Sequence, residues 1–168
     1  MNILEVVFRP IETDDWEIVA EIYKQGIETN NATFQQVIPT WDEWNKGHVR
    51  NCRIIALVDQ KIAGWAALTP VSGRCVYAGV AEVSVYVANN FRGQSIGKML
   101  LNKLIIESEK GNFWTLQAGI FPENIPSLTI HEKLGFRKVG YRENIGKLNG
   151  KWRDTILMER RSKNIGLD

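Results

Sequence analysis

Apolar and polar positions change period several times along this chain, and each change marks an element. Ile3 to Arg9 is apolar and β-prone, and Pro10 ends it. Thr13-Asp14-Asp15 is a helix-start signal, after which Ile18, Val19, Ile22, Tyr23 and Ile27 recur at helical spacing. Thr29 to Phe34 is polar and turn-like. Thr40 caps a short helix carrying Trp41 and Trp44. Arg53–Val58 and Lys61–Leu68 flank Asp59-Gln60 and predict a hairpin. Pro70–Gly79 reads as a loop and Val80–Val87 as an interior strand. Ser95–Lys110 predicts a helix whose apolar face is Ile96, Met99, Leu100, Leu104 and Ile105, stopped by Gly111-Asn112. Trp114–Ile120 is a strand, and Pro126–Leu134 a helix that Gly135 terminates. Phe136–Arg142 and Trp152–Arg160 are closing strands, with Asn149-Gly150 as a hairpin turn.

The predicted order is β-α-α-β-β-β-α-β-α-β-β. It places the chain in the α/β class, with a mixed sheet flanked by helices. With 168 residues, no repeat and no linker-like segment, one domain spanning residues 1–168 is expected.

Composition narrows the chemistry. A net charge of +2 offers no electrostatic case for nucleic acid. No apolar run reaches membrane-spanning length, and the N-terminus lacks signal-peptide character, so a cytoplasmic location without membrane contact is expected. Cys52 and Cys75 form no C-x-x-C, and His48 and His131 lie far apart, which argues against a zinc site or any metal. His48 and both cysteines read as structural. Six tryptophans read most simply as packing residues.

The most informative segment joins the Val80–Val87 strand to the helix that follows. A Gly-containing turn between strand and helix leaves backbone N–H groups pointing outward, and the helix dipole adds positive potential. That is an anion site suited to phosphates. No Walker A Gly-Lys-Ser/Thr is present. Of a G-x-G-x-x-G fingerprint only Gly93 and Gly97 appear, four apart. Arg92-Gly93-Gln94-Ser95-Ile96-Gly97 instead resembles the pyrophosphate loop of the GNAT superfamily of acyl-CoA N-acetyltransferases, Gln/Arg-x-x-Gly-x-Gly/Ala, with Ser95 in place of the first glycine.

The resemblance extends through residues 22–34 (IYKQGIETNNATF), 82–87 (EVSVYV), 124–136 (NIPSLTIHEKLGF) and 150–154 (GKWRD). These look like the phosphinothricin acetyltransferase branch, with its relatives acting on methionine sulfone and sulfoximine. Gly93, Lys147 and Arg153 depart from that branch. The resemblance implies the GNAT fold, acetyl-CoA as co-substrate, no metal, and a homodimer. It also implies that the strand carrying Glu82 splays from the next one, so that pantetheine amides pair with the backbone of Val85 and Val87 like an added strand. Arg92, Gly93, Gln94, Ser95, Ile96, Gly97 and Lys98 would hold the phosphates. Asn124 would meet the pantetheine arm with Ser127 beside it, although both residues also suit helix capping.

Glu82 stands out among Val80, Val83, Val85 and Val87. A carboxylate on such a strand is either a solvent-facing or ion-paired residue or a general base. The base reading has a chemical reason: an amine is mostly protonated at neutral pH and must lose a proton before it can attack a thioester. The branch places its catalytic glutamate here. His131 is either a helix-surface histidine or the catalytic histidine that the branch carries in place of a common GNAT tyrosine. It could protonate the departing thiolate or help deprotonate the amine, and the sequence leaves that direction open.

Glu28, Thr29 and Phe34, on and after the first helix, and Arg74 and Tyr77, before the Glu82 strand, are the candidate acceptor-binding residues. A guanidinium at Arg74 suits a carboxylate or phosphinate, though an exposed loop arginine is the plain alternative. Lys147 and Arg153 could contribute from the closing hairpin, across a dimer or within one chain. The expected function is transfer of acetyl from acetyl-CoA directly to the amine of a small amino-acid analogue. Competing readings are a polyamine or protein N-terminus as acceptor, and a non-catalytic acyl-CoA sensor, which would need no Glu82 and His131 together.

Overall fold

The computed structural model describes residues 5–167. Seven strands form one sheet in the order β1-β2-β3-β4-β5-β7-β6. They are β1 (Val6–Pro10), β2 (Arg53–Val58), β3 (Lys61–Pro70), β4 (Val80–Val87), β5 (Thr115–Ile120), β6 (Arg137–Leu148) and β7 (Lys151–Arg161). All neighbours are antiparallel except β4 and β5, which run parallel across the crossover helix α3 (Ile96–Lys110). The other helices are α1 (Trp16–Glu28), α2 (Trp41–Gly47) and α4 (Ile125–Lys133). The β1 expectation began at Ile3; Ile3 and Leu4 lie outside the described residues.

Local chemistry accounts for the element ends. Thr40 and Glu43 form a reciprocal capping box at α2, satisfying two otherwise unpaired N–H groups. Asp15 receives both guanidinium nitrogens of Arg9 at 2.7 Å and the N–H of Glu12, which pins β1 to the start of α1. That pairing holds the Asp15 carboxyl below its ordinary range. Asn149 and Gly150 have φ of 50° and 77°, as a two-residue hairpin turn requires.

The sheet separates two apolar layers. On one face, Leu100, Leu101, Leu104 and Ile105 of α3 pack on Ile54, Ala66, Leu116 and Met158. Leu101 is fully buried there, whereas Met99, expected on the inner face, is only half-buried. On the other face, Val19 and Ile22 of α1 and Trp44 of α2 cover Ile55, Trp65 and Ala67. Four of the six tryptophans, Trp16, Trp41, Trp44 and Trp65, form one contiguous set of ring contacts there. His48 stacks on Trp44 at 4.1 Å and hydrogen-bonds its backbone oxygen, consistent with a structural histidine. Burial raises the Cys52 thiol to about 11, so it stays protonated.

Two strands outrun their sequence expectation. β3 continues to Pro70, pairing with Ala81 of β4. β6 continues to Leu148, well past Arg142. Irregular pairing between Arg142 and Gly146, with Asn144 at positive φ, lets a polar, glycine-bearing stretch stay in the sheet.

Candidate active site

β4 and β5 are paired only at Val80–Thr115, Ala81–Leu116 and Glu82–Gln117. Beyond Glu82 they part, while β4 remains paired with β3 as far as Val87–Gly64. The N–H of Ala88 and the C=O of Val80 both bond toward the β3 side. Backbone groups alternate along a strand, so those of Val83, Val85 and Val87 face the gap. This is a free strand edge inside a sheet, opening into a cleft of about 970 Å³. Val85 and Val87 line it as the expected splay requires.

The phosphate-type loop closes one end of the cleft. The first helical bond of α3 runs from Met99 N–H to Ser95 O, so the N–H groups of Ile96, Gly97 and Lys98 have no helical partner. Gly93 has φ of 76° and Ser95 sits in the left-handed region at φ 63°, ψ 8°. A glycine would occupy the Ser95 conformation without the Cβ clash that a serine carries. Arg92, Gly93, Ser95, Ile96, Gly97 and Lys98 line the cleft, and Lys133 of α4, which the sequence did not single out, joins them as a third cation. Gln94 does not line it; its amide donates to Asn90 O at 3.2 Å.

Glu82 and His131 line the same cleft. Glu82 is exposed, with Gln117 Nε2 3.5 Å from its carboxylate. His131 is 4% exposed, edge-on to Phe136 at 4.9 Å. Its Nδ1 lies 2.7 Å from the carbonyl oxygen of Ser127, so Nδ1 carries the hydrogen and Nε2 is the acceptor. Burial lowers the His131 pKa below its ordinary value, with the Ser127 bond opposing this only in part. The imidazole is therefore neutral at neutral pH. Asn124 accepts the Ser127 N–H at 3.2 Å, capping α4, and donates to Asn31 O at 3.0 Å. Capping and cleft-lining coexist in Asn124 and Ser127.

The expected acceptor-binding residues divide. Thr29 and Phe34 line the cleft. The Thr29 hydroxyl is occupied at the end of α1, donating to Gly26 O at 2.6 Å. Phe34 meets Phe121 edge-on at 4.9 Å. Glu28 lies outside the lining, exposed and 4.0 Å from Lys24, because it falls on the outer side of α1. Arg74 and Tyr77 also lie outside, on an exposed turn where the guanidinium sits 5.6 Å over the tyrosine ring. Arg153 is engaged within its own chain: it donates to Asn30 O, reaches Glu123, and lies 4.1 Å over Phe121. Lys147 lies over Trp152 at 4.8 Å.

Other cleft residues were hidden in the pattern. Tyr86 shares the Glu82 and Ser84 face of β4 and packs against Tyr23 and Trp65 at 4.8 Å each. Its ring crosses α1 at Gly26, where a Cβ would come within 2.5 Å of it. Burial pushes the Tyr86 and Tyr23 hydroxyls up, so both stay protonated. Asn31, Thr33 and Thr155 also line the cleft. Period two marked Tyr86 as facing one side of the sheet, but nothing local told a core aromatic from a cleft one. Among the described residues no group of His, Cys, Asp and Glu could hold a metal ion, and no helix is long and apolar enough to cross a membrane.

A splayed β4–β5 pair, with a phosphate-type loop at the head of the crossover helix, defines an acyl-CoA acyltransferase architecture. The profile of the Acetyltransferase (GNAT) family matches residues 12–136, and the chain belongs to that family of acetyl-CoA-dependent N-acetyltransferases. It is 33% identical over 158 residues to a phosphinothricin N-acetyltransferase of Alcaligenes faecalis, covering 90% of this chain and 80% of the relative. It superposes with a TM-score of 0.82 and 26% identity on a phosphinothricin acetyltransferase from Sinorhizobium meliloti solved with acetyl-CoA, covering 93% of this chain and 88% of that one. A ribosomal-protein-alanine N-acetyltransferase from Brucella melitensis superposes with a TM-score of 0.84 and 26% identity, over 93% and 99%.

Proposed function

We propose that the protein transfers acetyl from acetyl-CoA directly to the primary amine of a small amino-acid analogue of the phosphinothricin, methionine sulfoximine or methionine sulfone type. The observation that carries this reading is the free edge of β4 lining one cleft together with Glu82 and His131. Acetyl-CoA supplies the activated acyl carbon as a thioester. The backbone groups of Val83 and Val85 on the free edge suit pantetheine amides, while the Val87 carbonyl accepts from Arg92 Nε at 3.4 Å, and the free N–H groups of α3 with Arg92, Lys98 and Lys133 suit the phosphates.

Glu82 is reachable from solvent and takes the proton from the incoming ammonium, directly or through a water. His131 presents Nε2 as an acceptor, so its first action is to take up a proton, the second one that the nitrogen loses once it has attacked the thioester, not to give one. Once protonated, it can pass that proton to the departing sulfur. A backbone N–H of the β4 edge stabilises charge on the carbonyl oxygen. No side-chain nucleophile is required: neither Cys52 nor Cys75 lines the cleft.

The acceptor class is supported by the names of the relatives and by the hydroxyls of Thr33, Ser84, Tyr86 and Thr155 in the lining, which suit an oxygenated tip. The likeness to a ribosomal-protein-alanine acetyltransferase favours a peptide N-terminus as the second reading. The test compares kcat/KM for phosphinothricin, methionine sulfoximine and methionine sulfone with that for spermidine and an alanyl peptide. A win for either of the last two removes the acceptor assignment and leaves the acetyltransferase. Glu82→Gln and His131→Ala should each lower kcat by roughly 10²–10⁴-fold, with the CoA-induced rise in melting temperature unchanged. Raising the pH should partly restore Glu82→Gln, because free amine becomes plentiful.

A further inference from the structure

Among the described residues, four buried side-chain polar atoms lack a hydrogen-bond partner: the indole nitrogens of Trp44 and Trp65, His131 Nε2 and Asn31 Oδ1. The two indoles belong to the aromatic layer behind the sheet. The other two belong to residues that line the cleft, and both are acceptors. Proton transfer accounts for His131 Nε2. Nothing so far accounts for Asn31 Oδ1.

Asn31 is held from several sides. Its N–H donates to Thr29 Oγ1 at 3.2 Å, and its carbonyl accepts from Asn124 Nδ2 at 3.0 Å. Asn124 in turn accepts the Ser127 N–H, and the Ser127 carbonyl accepts His131 Nδ1–H. The Asn31 backbone and the His131 ring are thus fixed to one another through two residues. The preceding Asn30 is anchored by Arg153 and by Asn149. A buried acceptor left unpaired on a firmly held backbone costs free energy, which a ligand donor recovers once the Asn31 side chain turns toward the cleft that the residue lines.

We propose that Asn31 Oδ1 accepts a hydrogen bond from the amine of the acceptor substrate and so acts as a specificity-determining residue; this rests on the acetyltransferase reading above. An ammonium has three N–H groups. Two of them leave on the way to the amide: Glu82 takes the first before attack, and His131 takes the second from the tetrahedral intermediate. An amide oxygen is too weak a base to take either, so Asn31 holds an N–H that stays. After deprotonation, that bond keeps the nitrogen in place and turns its lone pair away from Asn31, toward the thioester. The other N–H source, the pantetheine amides, has acceptors of its own in the Val83 and Val85 carbonyls on the β4 edge beyond Glu82.

The experiment measures KM for methionine sulfoximine and for acetyl-CoA in the wild type and in Asn31→Leu, Asn31→Ala and Asn31→Asp, after melting curves confirm folding. The leucine and alanine variants should raise the acceptor KM by about 10- to 100-fold, the range for a lost hydrogen bond to a charged group. KM for acetyl-CoA should stay unchanged. Asn31→Asp, which keeps an acceptor oxygen, should lie within about threefold of wild type. An unchanged acceptor KM in Asn31→Leu overturns the inference. So does a rise confined to acetyl-CoA, which would assign the N–H to pantetheine, and so does Asn31→Asp as poor as Asn31→Leu. Should the wild type acetylate a different amine, the same comparison is made with that amine. A wild type that acetylates no amine overturns this inference and the reading beneath it; an active wild type with an indifferent Asn31 overturns this inference alone.

Discussion

At the scale of single residues, the two histidines carry a pH dependence. Both are held neutral by burial, His48 against Trp44 and His131 above the Ser127 carbonyl, with pKa values below the ordinary 6.5. The unfolded chain therefore binds more protons than the native one once pH drops below about 6.5. The stabilisation is whole above that value and is lost as pH falls through the folded values. Each histidine contributes a slope of at most about 1.4 kcal/mol per pH unit. Urea midpoints taken between pH 7 and pH 5 should fall, and His48→Phe, which keeps the stack on Trp44, should flatten the fall. A midpoint flat over that range would show that neither ring is buried neutral. Residue identity alone was a poor guide to role here. Glu82, His131, Thr29 and Phe34 lie along one cleft, while Glu28, Gln94, Arg74 and Tyr77 do not. One residue of offset on a helix or turn separates Glu28 from Thr29, and only the backbone path decides which side it takes.

At the scale of elements, the contact of α1 with β4 shapes the acceptor side of the cleft. Tyr86 lies against Gly26 so closely that a methyl there would sit 2.5 Å from a ring carbon. The ring cannot retreat freely, because Trp65 stacks on its far side at 4.8 Å. Gly26→Ala should therefore cost about 1–3 kcal/mol in spite of its better helix propensity, as overpacked cores do. It should also impair acceptor KM through displacement of Tyr86. Gly140→Ala on β6, where a Cβ meets nothing within 4 Å, is the control for both readouts. Equal stability of the two variants would mean that α1 shifts at little cost. Most elements themselves were legible: the Thr40 capping box, the Asn149-Gly150 turn and the helix end at Gly135, with φ of 88°, are local signals that the fold obeys. The far half of β6 was not: the sequence pattern ended the strand at Arg142, whereas the chain, after an irregular stretch with Asn144 at φ 48°, pairs again with β7 from Gly146 to Leu148.

At the scale of the whole molecule, β6 is an edge strand of 12 residues whose outer neighbours are open. Val139, Tyr141 and Ile145 are 43%, 60% and 51% exposed, and Trp152 on β7 is 57% exposed. A long apolar edge left to solvent invites pairing with other chains. We expect a homodimer that covers this hairpin, present at micromolar concentration in light scattering, with Trp152→Glu shifting it toward monomer while the circular dichroism of the fold is kept. A wild-type monomer throughout that range would exclude it. Arg153 and Lys147 lie outside the cleft lining and make the contacts described above within their own chain.

The sequence by itself determined the class of the fold, the order of the elements and the phosphate-type loop; Glu82 and His131 were singled out together only through the family resemblance. The former depend on local patterning and on motif spacing, which the chain carries within a few residues. The tertiary structure alone decided which β4–β5 pairs form before the strands part, that His131 is neutral with Nε2 as its acceptor, and that Asn31, a residue of the cleft lining, carries a buried oxygen without a partner. Each of these depends on what a distant segment does: whether a strand edge is free, how much water reaches a ring, and whether a buried acceptor finds a donor are properties of neighbours brought together from far apart in the chain.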